Sequence, residues 1–242
     1  AQSISGSMLL NIEPDMDWAG SEAAKQALVQ AQTVIALTPF QSASLRELSD
    51  VMFPVTPSTE TSCSFVSMEG RLQSFHGVVK PYAQSRPMWK VLRVIGNELD
   101  LDGFDYTSSE EVLARACINS DSIVGKLNNQ VQNVASTGLQ AASGLVRVGG
   151  VGIYQTDSVV RRSAPLQATV HAAIPAASVH PKTLAALQLT DAAQVVVKSG
   201  AASVLVAVVA DESVAENVVS LPLHPQNKVL GAMNNTIELG RG

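Results

Sequence analysis

TVIALTPFQSASLRELSDVMFPV (Thr33–Val55) holds a strand, a helix and a second strand in one short stretch. Thr33–Pro39 is a β-branched apolar run closed by proline. Ser42–Asp50 has apolar residues at helical spacing, and Val51–Val55 is apolar again. The pattern continues upstream. Ser7–Pro14 (SMLLNIEP) is a short apolar run ending in turn residues, and Ser21–Ala31 (SEAAKQALVQA) reads as a helix with Ser21 as its N-cap. Strand, helix, strand, helix, strand with short connections predicts right-handed crossovers and a parallel sheet. Runs this continuously apolar predict strands buried on both faces. Three strands make a thin sheet, so the chain is expected to be a piece of a larger α/β domain.

After Val55 the texture becomes irregular. Ser64–Met68 and Arg71–Phe75 flank Glu69-Gly70, a turn dipeptide, and predict a small hairpin. Pro87–Asp100 predicts a helix with proline at its first turn. Ser108–Ile118 predicts another, with a capping box from Ser108 to Glu111. Residues 119–160 shift towards Asn, Gln, Ser and Gly and read as a linker or insertion. From 161 the chain is β-rich (LQATVHAAI, AQVVVKSG, ASVLVAVVA, NVVSLPL), with one helix at Pro181–Leu189. This predicts a small closed barrel.

Composition narrows the function classes. The net charge is −5 with no run of Lys or Arg, which argues against a nucleic-acid groove. Aromatic residues are 4% of the 242, so cores must rest on Val, Leu, Ile and Ala. Mean hydropathy is +0.17, yet no apolar stretch reaches the ~18–20 residues of a bilayer span. The first residues, AQSISGS, lack the charged and apolar regions of a signal peptide. Cys63 and Cys117 show no CxxC spacing, so no cluster or zinc site is expected, and a reducing cytosol fits.

The segment ETSCSFVSMEGRLQSF (Glu60–Phe75) gathers candidate chemistry. Cys63 and His76 could form a thiol–imidazole pair, but nothing in the sequence orients the histidine; a buried thiol and a surface histidine are the plainer reading. Glu60 and Glu69 could be an acid and a base. The plainer reading is that Glu60 ties down its loop by accepting from backbone N–H groups while Glu69 pairs with Arg71 or is solvated. His171, His180 and His224 form neither HxH nor HExxH and read as caps or packing. RVGGVG (Arg147–Gly152) matches no phosphate-binding fingerprint and reads as a flexible connection. Arg161-Arg162 could meet an anion or a partner subunit; a solvated face is the simpler expectation.

The stretch Asp50–Pro81 also resembles a family pattern, D-V-x-L-P … E-x-x-G-T-F-x-N-x-E-G-R-x-Q, of the molybdopterin oxidoreductase superfamily. It matches at Asp50, Val51, Pro54, Glu60, Phe65, Glu69, Gly70, Arg71 and Gln73. Gly77–Val112 and Ser158–Thr169 are most similar to the large iron–sulfur subunit of bacterial NADH-quinone oxidoreductase (respiratory complex I). The resemblance implies a Rossmann-like α/β portion over 1–118 and a linker over 119–160. A double-psi β-barrel of the kind that helps bind a pterin dinucleotide would follow over 161–242. It further implies a structural role beside the [4Fe–4S] and [2Fe–2S] clusters of a preceding segment. That role would be contact with peripheral-arm subunits, in the bacterial cytoplasm at the inner membrane, with no cofactor, metal or catalytic residue in this portion. The alternative it implies is the C-terminal half of a catalytic molybdopterin guanine dinucleotide oxidoreductase of formate dehydrogenase or nitrate reductase type. Departures matter here. Cys63-Ser64 replace Gly-Thr and Ser67 replaces Asn, so Glu60, Cys63, Ser64, Glu69, Arg71 and Gln73 read as a vestigial cofactor loop.

Overall fold

A computed structural model describes residues 5–18, 21–116, 125, 144–231 and 233–242. The cap assigned to Ser21, the thiol of Cys117, the first four residues and most of the expected linker lie outside the described residues. The chain divides into two compact units. One comprises Ile4–Ile12 with Ala31–Thr137, the other Glu13–Gln30 with Gly138–Gly242 and Ala1–Ser3.

In the α/β unit, β1 (Gly6–Leu10), β2 (Thr33–Thr38) and β3 (Val51–Pro54) form a parallel sheet in that order. Met8 and Val51 both stand beside Ile35. β2 is central and matches the expectation of two-sided burial at Val34, Ala36 and Leu37. β1 and β3 do not match it. They are edge strands that expose Met8, Leu10 and Val51, because a three-stranded sheet covers only its middle. The helix α3 (Ala43–Leu48; α1 and α2 belong to the barrel unit and are described below) is capped by Ser42, whose hydroxyl accepts the Leu45 N–H at 3.2 Å. Asp50 Oδ2 accepts the Val34 N–H at 2.7 Å and ties the foot of β3 to that of β2.

The expected hairpin forms as β4 (Cys63–Val66) and β5 (Leu72–Phe75), antiparallel, with Cys63 beside Phe75 and Ser64 beside Ser74. Gly70 closes the turn at φ 81°, and Ser67 holds it from both sides. Its carbonyl accepts the Gly70 N–H and its hydroxyl the Arg71 N–H. The helix α4 (Met88–Glu98) follows Pro87. Gly96 of α4 leaves room for the Phe104 ring, which a Cβ would meet at 2.3 Å. The helix α5 (Ser109–Ala116) starts as a capping box displaced by one residue. Ser108 Oγ accepts the Glu111 N–H at 3.2 Å, but the Glu111 carboxylate takes the Thr107 N–H and hydroxyl.

The second unit is a closed six-stranded barrel. Its strands are β6 (Leu145–Val148), β7 (Ala177–Val179), β8 (Gln194–Ser199), β9 (Ala202–Ala210), β10 (Val218–Ser220) and β11 (Thr236–Arg241). The ring runs β10-β6-β11-β8-β9-β7. Two pairings, β10 with β6 and β7 with β9, are parallel and the rest antiparallel. Val179, Val195, Val197, Val219 and Leu221 point inward and are fully buried. Alternation sets this: Val195 and Val197 face the core while Gln194 and Lys198 face solvent.

The barrel begins earlier than position 161, since β6 lies within the segment read as linker. Nor is RVGGVG a flexible connection throughout. Arg147 and Val148 belong to β6, and Gly149 at φ 156° sits so close to Pro222 that a Cβ would lie 2.8 Å from its Cα. LQATVHAAI is not a strand. It holds the end of α6 (Ala164–Gln167) and a 3-10 turn at Val170–Ala172. Pro165 sets the first turn, and Gln167 Nε2 donates to the carbonyls of Tyr154 and Val160. The helix α7 (Pro181–Ala186) starts at Pro181 as expected but stops short of the expected Leu189, with Leu187 as its C-cap and Gln188 at φ 59°. This unit also holds α1 (Pro14–Asp17) and α2 (Ser21–Val29). α1 begins where the sequence had suggested only a turn.

Candidate functional site

The hairpin residues are brought together, but not as an acid, a base and a nucleophile. Glu60 Oε2 accepts the Tyr82 N–H at 2.8 Å and so ties down its loop. His76 Nδ1 lies 3.3 Å from Ser62 Oγ, while Cys63 Sγ makes a weak contact with the Ser64 carbonyl at 3.9 Å. Ser64 Oγ is 2.8 Å from Ser74 Oγ across the strands. Glu69, Arg71 and Gln73 are exposed, and Glu69 and Arg71 form no ion pair among the described residues.

Beside the hairpin lies an open cleft of about 540 Å³. Its walls include Glu60, Ser62, Lys80, Trp89, Lys90, Ser108, Ser109 and Glu110. It adjoins a more apolar groove of about 350 Å³ lined by Cys63, Phe75, His76, Val112 and Leu113, the two sharing Ser62, Trp89, Ser109 and Glu110. The Glu110 carboxyl is held below its ordinary range by its own backbone N–H, then by the hydroxyls of Ser109 and Ser108, with a smaller contribution from His76. Glu111 is lowered likewise, by the backbone and hydroxyl of Thr107. The cleft thus offers the ammonium groups of Lys80 and Lys90, hydroxyls of serine and threonine, and the carboxylates of Glu60 and Glu110, a donor and acceptor set suited to a polar ligand.

In the barrel unit the Arg161-Arg162 pair does not form a solvated face. Glu13 Oε1 lies 3.1 Å from Arg161 Nη2, and Glu13 Oε2 lies 2.8 Å from Arg162 Nη2. Arg161 Nη1 also reaches Asp17 at 2.8 Å, and Lys228 pairs with Asp15. Three acidic residues in and beside α1 thus neutralise three barrel cations. Sequence reasoning missed a further residue, Arg147, which is 0% exposed and, among the described residues, donates to neutral acceptors. Its Nε donates to the Leu221 carbonyl, Nη1 to Gly231 and Nη2 to Asn227 Oδ1. Burial lowers its pKa from the usual arginine value. The signal was available: the alternation in LVRV puts Arg147 on the same inward face as Leu145.

The histidines stay apart. His180 caps α7 by accepting the Lys182 N–H, His171 meets Tyr154 edge-on, and His224 Nδ1 accepts the Gln226 N–H. Among the described residues, no group of three or more His, Cys, Asp or Glu side chains could hold a metal ion. No helix of the described residues is long and apolar enough to cross a membrane.

Comparison with known proteins bears on both units. The family described as "Molybdopterin oxidoreductase" matches residues 2–98, and the "Molydopterin dinucleotide binding domain" matches residues 145–239. Two Staphylococcus aureus proteins, each named "Putative formate dehydrogenase" (strains bovine RF122 / ET3-1 and MRSA252), are 34% identical over 65 residues. That is 27% of this chain and 6% of each relative, so the chain spans a small part of their length. The structure of acetylene hydratase from Pelobacter acetylenicus superimposes with a TM-score of 0.63 at 13% identity. It covers 98% of this chain and 44% of that one, a likeness of fold. Two consecutive domain matches, the first over residues 2–98 and the second over the barrel strands, make the chain similar to the molybdopterin oxidoreductase superfamily.

Proposed function

We propose that the chain is the C-terminal part of a catalytic oxidoreductase that uses a molybdopterin guanine dinucleotide, of the formate dehydrogenase kind. The observation that carries this reading is the order of the two domain matches, α/β first and closed barrel second, supported by the formate dehydrogenase-like relatives. The barrel, with its mixture of parallel and antiparallel pairings, is taken as the double-psi type.

The donor set of the cleft fits such a cofactor. Lys80, with the hydroxyls of Ser108 and Ser109, would bind the diphosphate, and the ionised Glu110 would accept from the guanine N–H groups. When bound, the pterin-held metal supplies the oxidation–reduction chemistry; these residues bind and orient.

A second reading rests on the hairpin and the arginines. Cys63 puts a side chain where the family pattern has glycine, and Ser64, which stands for threonine, spends its hydroxyl on Ser74. Arg161 and Arg162 are already neutralised by Glu13. These features favour a subunit that kept the fold as scaffold, as in the large iron–sulfur subunit of complex I. Its partners would be peripheral-arm subunits and its own N-terminal cluster domains, in the bacterial cytoplasm at the inner membrane.

Elemental analysis of the full-length protein, with pterin fluorescence after oxidation, separates the two. Stoichiometric molybdenum and pterin support the catalytic reading. Several iron–sulfur clusters with neither molybdenum nor pterin support the scaffold.

A further inference from the structure

The exposed face of α4 is palindromic in charge. Lys90, Val94 and Glu98 follow one another at intervals of four, so they line one stripe of the helix, and all three are exposed. Val94 at the centre is 48% exposed. The pattern extends beyond the helix at the same interval, with exposed Arg86 before it and exposed Asp102 after it. Two apolar residues next to the acidic end, Leu99 and Leu101, are 63% and 51% exposed. The larger charge distribution has the same polarity. Residues 61–97 carry five Lys or Arg and one Glu, whereas residues 98–111 carry six Asp or Glu and no cation.

Within one copy this arrangement is unfavourable. A lysine in the first turn and a glutamate at the last position oppose the helix dipole at both ends. A second helix laid antiparallel offsets both.

From this face we infer that the chain self-associates through α4 about a two-fold axis at Val94. In an isologous contact residue 94 + n meets residue 94 − n of the other copy. Lys90 then faces Glu98 and Arg86 faces Asp102, each contact occurring twice. An unrelated acidic surface would match the basic half only. A second copy matches the apolar centre and both charged ends together.

The test uses the full-length protein in analytical ultracentrifugation over a range of concentrations at low salt, with Lys90→Glu, Glu98→Lys and the double variant. The expected result is a monomer–dimer equilibrium that each single charge reversal weakens at least tenfold and the double reversal restores. Circular dichroism shows whether α4 itself survives each change. Independently, Val94→Cys should form an intermolecular disulfide under mild oxidation, which the parent chain does not. A monomer at every concentration overturns the inference. So does a dimer indifferent to the single reversals, or a monomer whose Lys90 and Glu98 variants instead lose a different co-purifying subunit.

Discussion

Arg162 Nη2 lies 2.8 Å from Glu13 Oε2, a contact between residues 149 positions apart. The other oxygen of the same carboxylate holds Arg161, so one nearly buried glutamate bridges two adjacent guanidinium groups. Breaking a buried ion pair by removing one partner strands the other charge in a poorly solvated place. Glu13→Gln should therefore lower the free energy of unfolding by about 3 kcal/mol, the low end for such pairs because Asp17 still contacts Arg161. Urea titration measures it, and a loss below about 1 kcal/mol would show that the clasp is ornamental.

Arg147 and Asn227 make a second buried polar centre. Asn227 Oδ1 accepts from both Arg147 Nη2 and the His224 N–H, and its Nδ2 donates to the Pro222 carbonyl. Asn227→Ala leaves two donors and an acceptor unpaired, at a cost of about 1–3 kcal/mol for a buried unsatisfied group. Because these bonds fix Leu221–Gly231, hydrogen exchange should accelerate there before it does in β8 or β9. Uniform acceleration would argue against a local hub.

These two centres also mark where sequence reading reached its limit. The parallel sheet was legible because Val34, Ala36 and Leu37 are apolar on both faces, and the hairpin because Gly70 sits at a turn that demands positive φ. Glu60 was legible as a loop anchor. Arg161-Arg162 was misread because its neutralising carboxylate is 148 residues away, where no local pattern can point. The start of the barrel was missed because β6 is four residues long and runs into glycines, so composition outweighed alternation. The cleft was invisible for a related reason. Lys80, Lys90 and Glu110 belong to separate elements that only tertiary packing brings together.

Gly149 bears on that misreading. Its φ of 156° and the Pro222 atoms 2.8 Å from a Cβ leave no room for a side chain. Gly149→Ala should destabilise the barrel by about 1–3 kcal/mol, the usual cost of overpacking. Gly150→Ala, with nothing within 4 Å of its Cβ, should change stability little. Equal thermal shifts in the two variants would restore the flexible-loop interpretation.

His224 gives the barrel a pH dependence with a definite sign. Burial lowers its pKa, and a backbone hydrogen bond with Ala172 works weakly the other way. The folded state then binds fewer protons than the unfolded state, whose histidine titrates near ~6.5. The stability it contributes is complete above that value and declines as pH falls towards the lowered folded pKa. Protonation would also end the acceptance of the Gln226 N–H by Nδ1. His224→Asn should flatten the stability profile below about pH 6.5. An unchanged slope in the variant would assign the dependence to other groups.

Cys63 poses the last question, whether a thiol among Phe75, Trp89 and Leu113 is a nucleophile. Thiol catalysis requires a base that removes or shares the proton. His76 is the near candidate by sequence, but its Nδ1 is engaged with Ser62 Oγ, and the thiol points a weak bond at the Ser64 carbonyl. In a Cys117→Ser background, iodoacetamide should label Cys63 no faster than a model thiol, and His76→Ala should leave the rate unchanged. A rate tenfold above the model thiol that falls on removing His76 would re-establish the pair and turn the groove into a reactive site. With the expected result, the groove holds Cys63 as a packing residue, and its side chain stands where the family pattern has glycine.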